Sequence, residues 1–157
     1  MKNRERTCLA FLEVAIVFAA LSLIPSLLSA ATDSTVDCQI DSGACSRSLG
    51  KTGITATLDI FPKPVVAMQK LSFRLDLEKG PAPLTDGEVS LSLAMPGMYM
   101  AENVVKLNHK GRGRYEGEGV LVKCPSGNKV WRVEARIRER SVSGGYLQRA
   151  SYTIRLK

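Results

Sequence analysis

From Thr52 onward, apolar and polar side chains alternate with a period of two. Ile54, Ala56, Leu58 and Ile60 fall on one face, and Thr55, Thr57 and Asp59 on the other. That is the signature of a strand covering a core on one side and meeting solvent on the other. The run stops at Phe61-Pro-Lys-Pro64, where two prolines remove ladder donors. A second alternating set, Leu71, Phe73, Leu75 and Leu77, breaks at the turn-rich KGPAPLTDG segment. A third, Val89, Leu91, Leu93 and Met95, ends at Pro96-Gly97. A fourth, less regular set covers about 102–107, and the Gly111-Arg-Gly113 tip turns the chain into a fifth over 115–123. Pro125-Ser-Gly-Asn128 reads as the hairpin turn into a sixth, with Trp131, Val133, Ala135 and Ile137 on one face. The seventh carries Ala150, Tyr152, Ile154 and Leu156 inward.

Seven short strands at this spacing, with no helical period among them, predict an all-β fold: an immunoglobulin-like antiparallel β-sandwich over residues 52–157. A closed barrel is the less favoured arrangement. Each inward face holds three or four large apolar side chains, and burying each is worth roughly 1.5 to 3 kcal/mol. Such a core needs no cofactor.

The first 31 residues follow a different pattern. Lys2, Arg4 and Arg6 precede an apolar run from Val14 to Ile24, and Ser29, Ala30 and Ala31 close it. This predicts a signal peptide cleaved near Ala31, with an uncleaved signal anchor helix as the competing reading. Either sends the rest of the chain out of the cytoplasm, to the periplasm or the outer face of the cytoplasmic membrane. Residues 32–51 are polar and aperiodic and read as a lead-in to the sandwich.

Composition adds little beyond one ordinary globular domain, at 45% apolar and 24% charged among 157 residues. Charge says more. Removing the leader's three basic and two acidic side chains from the 22 and 15 of the whole chain leaves 19 and 13, a formal +6. In an exported domain that favours solubility, or contact with an anionic membrane surface or an acidic protein, and no nucleic-acid partner is expected.

Cys8 goes with the leader, leaving Cys38, Cys45 and Cys124. The first two enclose a short polar segment and are expected to pair, at a gain of about 2 kcal/mol on loop-closure grounds. Cys124 is then a free thiol, a metal ligand, an intermolecular bridge, or a competitor for one of the other two.

Met95-Pro-Gly-Met98-Tyr-Met100 places three thioethers within six positions. Thioether sulfur is soft and suits Cu(I), and His109 could add an imidazole. Methionine is equally a filler of irregular core gaps, and Met68 is open to both readings. His109, beside Lys110 and the glycine tip, also reads as a solvated turn residue. The glycines of GRGRYEGEG have no helix after them, so turn and bulge roles explain them better than a phosphate cradle. With one histidine in the chain and no paired carboxylates, no catalytic arrangement can be assembled, and a non-enzymatic protein is expected.

Together, MPGMYM, Asn103-Val-Val-x-Leu107, Gly113-Arg-Tyr115-x-Gly-x-Gly119, Cys124-x-Ser-Gly127 and Trp131 resemble the YtkA-like domain family, and more distantly the FixH-type proteins associated with assembly of copper-containing oxidases. The resemblance spans roughly residues 52–137. It implies an exported or membrane-tethered bacterial β-sandwich that handles copper, with Met95, Met98 and Met100 as ligands and Met68 and His109 as lesser candidates. It also implies a copper acceptor such as a respiratory oxidase subunit as partner. The reading that competes with copper delivery is a non-metal interaction or accessory domain at the membrane surface.

Overall fold

The computed structural model describes residues 35–140 and 147–157; the expected leader or anchor lies outside them. Residues 34–157 form one compact unit. The buried apolar side chains of the described residues run from Cys38 to Leu156, so this unit carries its own core.

The fold is all-β and antiparallel, as the alternation predicts. The strands are β1 (Cys45–Leu49), β2 (Ile54–Phe61), β3 (Lys70–Lys79), β4 (Ala82–Pro83), β5 (Gly87–Ala94), β6 (Asn103–Gly111), β7 (Arg114–Val120), β8 (Val130–Glu139) and β9 (Gln148–Arg155). All seven expected strands are present. Their inward residues are the expected ones, with Leu58, Ile60, Leu71, Phe73, Leu91, Trp131 and Tyr152 fully buried.

Neighbouring strands follow the order β1-β2-β3-β7-β6-β5-β8-β9, with β4 on the side of β3. The two sheets are joined through β6. Its first half, from Asn103 to Leu107, pairs with β5, and its second half, from Asn108, pairs with β7. A strand that changes partners midway makes a corner between sheets. At the far ends of the order the sheet nearly closes into a barrel, since the Asp37 and Cys38 amides donate to the Thr153 carbonyl, 3.1 Å each, and the Thr153 amide donates to Asp37 Oδ1 at 2.8 Å.

Two strands were not expected. In β1, Cys-Ser-Arg-Ser-Leu has Leu49 as its one large apolar residue, too little to announce a strand. Pairing with β2 from Cys45↔Leu58 to Leu49↔Ile54 makes it one all the same, so the second half of the lead-in belongs to the sheet. The two-residue β4 sits in a turn cluster and pairs only with Glu78 and Lys79. Two boundaries also move. β6 extends past Leu107 because Asn108 and His109 find partners in Glu116 and Tyr115, and β7 stops at Val120 because the Leu121 carbonyl accepts the Met68 amide at 2.8 Å.

The expected Cys38–Cys45 disulfide is formed. It closes the loop ahead of β1 and buries Cys38 and Ile40 in the core. Asp41 Oδ1, within that loop, accepts the Val65 amide at 2.8 Å.

Candidate functional site

Strand direction gathers three loops at one end of the molecule: 62–69 between β2 and β3, 95–102 between β5 and β6, and 121–129 between β7 and β8. The pairings Lys70↔Val120 and Ala94↔Arg132 hold them there, and Asn103 Nδ2 donates to the Val120 carbonyl at 3.2 Å.

The methionine loop starts with a tight turn. The Met95 carbonyl accepts the Met98 amide at 3.2 Å, with Pro96 in second place and Gly97, at φ 75°, in third. Those are the residues a type II turn requires, because its third position needs a positive φ. The turn separates the three methionines. Met95 is 3% exposed and belongs to the core, Met98 emerges at the surface, and Met100 is partly buried against the core.

The sulfur that Met98 meets comes from another loop. Cys124 Sγ lies 3.9 Å from Met98 Sδ. Cys124 is a free thiol in a buried residue, and it begins a second turn whose first carbonyl accepts the Gly127 amide at 3.0 Å. Asn128 Oδ1 then accepts the Val130 amide at 2.9 Å and fixes the entry into β8. This loop wraps polar groups around the sulfur. Ser126 Oγ is 2.9 Å from Sγ, and that hydroxyl, helped by the backbone amides of Ser126 and Asn128, lowers the thiol pKa against the opposing effect of burial. A thiol held toward thiolate is a better nucleophile and a better soft ligand.

Cys124 also lines an open cleft of about 320 Å³ between the 121–129 loop, Val66 and Ala67, and the chain's last two residues. Met68 stands nearby in the third loop, its amide bound to Leu121, its backbone in the left-handed region at φ 63° and its side chain 67% exposed.

His109 is elsewhere. It sits six residues along β6 from Asn103, about 20 Å at the usual rise per strand residue, with its ring 5.0 Å from that of Tyr115. The Tyr115 hydroxyl accepts the Gly87 amide and donates to the Leu84 carbonyl, both at 3.1 Å, at the opposite end of the molecule.

Of the residues singled out in the sequence, the structure therefore brings Met98 to Cys124, keeps Met100 and Met68 on the same end, places Met95 in the core and leaves His109 apart. Among the described residues, no three of His, Cys, Asp and Glu come together as a cation site. Ser126 was read only as part of the Cys124-x-Ser-Gly127 motif, with no role beside the thiol. Its signal was available in the Cys-Pro-Ser-Gly order, where a proline turn returns the serine to the cysteine two positions earlier.

Comparison with known proteins gives no family-model match and no match among curated proteins. Among solved structures, a DUF4785 family protein from Legionella pneumophila is similar at 15% identity with a TM-score of 0.47, over 69% of this chain and 29% of that one. The chain thus spans less than a third of that protein's length.

Proposed function

We propose that this is an exported, non-enzymatic copper-handling domain whose Cu(I) cargo is held between Cys124 and Met98. The observation that carries the reading is the 3.9 Å approach of a thiol and a thioether from loops 26 positions apart, with the thiol biased toward thiolate by Ser126. A thiolate and a thioether form a soft donor pair, which selects Cu(I) over harder ions. Thiolate sulfur sits about 2.3 Å from the d10 ion Zn2+, and at a similar distance two sulfurs on one Cu(I), also d10, can keep the separation seen here. Met100, on the same loop as Met98, is the nearest candidate in sequence for a third donor, and Met68 for a fourth.

The likeness to YtkA-like domains supports the same reading, with Cys124 added to the ligand set, Met95 assigned to packing and His109 left out. Delivery to an acceptor such as a respiratory oxidase subunit would proceed by exchange of sulfur ligands at the surface. The Cys38–Cys45 disulfide is compatible with an oxidising compartment.

Titration of residues 35–157 with Cu(I) against a competing chelator tests the proposal. Cys124→Ser and Met98→Leu should each weaken binding at least tenfold, while His109→Gln leaves it unchanged. Wild-type affinity in both sulfur variants would refute it.

A further inference from the structure

Eight large apolar side chains are conspicuously exposed among the described residues, and seven of them lie toward the three-loop end. Met68, Met98, Tyr99 and Val122 come from the loops themselves. Phe61, Val104 and Val120 face outward on the strand ends that feed those loops. Leu147, before β9 at the other end, is the exception. Scattered exposed apolar residues are ordinary, but a concentration at one end marks a contact surface.

The charged side chains that line the cleft at this end are all lysines. Lys123, Lys129 and Lys157 line the cleft beside Cys124, and none of the three has an ion-pair partner among the described residues. Elsewhere, charged side chains are commonly paired, as in Arg114 with Asp76 and Lys79 with Glu139. Loops 62–69 and 121–129 contain no Asp or Glu, and the Glu102 of the third loop is engaged by Arg136 at 2.9 Å. The first described residues also enter here, since Asp37 pairs with Thr153 two positions before the end of β9.

Met68 adds a separate indication. A non-glycine residue at φ 63° is costly to hold, and such outliers concentrate at functional positions. Here the conformation displays a thioether to solvent.

We infer that this end docks on an anionic phospholipid surface, with the apolar side chains entering the headgroup region and the three unpaired lysines meeting lipid phosphates. An apolar tip with a basic cleft beside it is an arrangement that binds an interface by partial burial plus attraction to anionic lipid. Met98 apart, this rests on residues outside the sulfur pair, and it does not depend on copper.

The test is co-sedimentation of residues 35–157, without metal, with vesicles of phosphatidylcholine alone or with phosphatidylglycerol added. Binding should require the anionic lipid and fall as salt rises. Replacing Lys123, Lys129 and Lys157 together by Gln should reduce partitioning about a hundredfold, at roughly fivefold per lysine. Met68→Asn and Tyr99→Ser should weaken it further, and Leu147→Ser should not. Asparagine tolerates the left-handed region, so Met68→Asn should keep the wild-type melting temperature and isolate the loss of the apolar group. Equal binding to neutral vesicles, or wild-type partitioning of the lysine variant, would overturn the inference. So would failure to bind either kind of vesicle.

Discussion

At the scale of single residues, the chemistry of the loop end turns on Ser126. Its hydroxyl is the largest influence lowering the Cys124 pKa, and its removal leaves only the backbone amides of Ser126 and Asn128 to oppose burial. Ser126→Ala should therefore raise the thiol pKa, read as an upward shift in the titration of thiolate absorbance. Cu(I) competition should then weaken more at mildly acidic pH than at alkaline pH, because a protonated thiol must lose its proton to bind. A second residue-scale expectation concerns Tyr115, whose hydroxyl is fully engaged in the interior. Tyr115→Phe strands the Gly87 amide and the Leu84 carbonyl, and should cost about 1 to 3 kcal/mol in a denaturant melt followed by Trp131 fluorescence.

At the scale of elements, β6 and β7 show why glycines cluster in GRGRYEGEG. A β-carbon on Gly117 would collide with the Lys106 carbonyl and the Leu107 side chain, and one on Gly119 would meet Val105. The corner at which β6 leaves β7 for β5 thus needs a strand without side chains beneath it. Gly117→Ala should destabilise the domain by about 1 to 3 kcal/mol through overpacking, measured by the same melt. The bulge reading of these glycines holds at the hairpin, where the register shifts between His109 and Gly111.

The seven expected strands were legible because each repeats an apolar residue at every second position, and that period is a direct consequence of one buried face. β1 was not, since its place depends on a disulfide and on hydrogen bonds to β2, neither of which leaves an apolar trace. The site was legible only in part. Soft donors could be counted, but Met98 reaches Cys124 through the meeting of two loops that are distant in sequence. Spacing within MPGMYM says nothing of that, and the proline turn that moves Met95 inward while Met98 turns outward overrides their closeness along the chain.

At the scale of the whole molecule, the domain combines a nearly closed, self-contained core with an open end where apolar, basic and sulfur-bearing side chains collect. Two buried tyrosines tie the core together, Tyr115 near one end and Tyr152 bonded to the Ala56 carbonyl at 2.7 Å. Burial raises both phenol pKa values above the ordinary 10. The folded pKa exceeds the unfolded one, so their contribution is complete below about pH 10 and disappears as pH climbs through the folded values. Thermal melts should accordingly hold steady through neutral pH and fall steeply above about pH 10, with a shallower fall in Tyr152→Phe. Reducing the Cys38–Cys45 bridge should lower stability by about 2 kcal/mol, because it closes a short loop in the unfolded chain.

The copper reading is tested most directly by X-ray absorption on residues 35–157 loaded with one equivalent of Cu(I). The spectrum should show a sulfur shell at about 2.3 Å with no imidazole scattering, and Cys124→Ser should remove one sulfur from it. A nitrogen or oxygen shell, or a sulfur shell unchanged by Cys124→Ser, would contradict it.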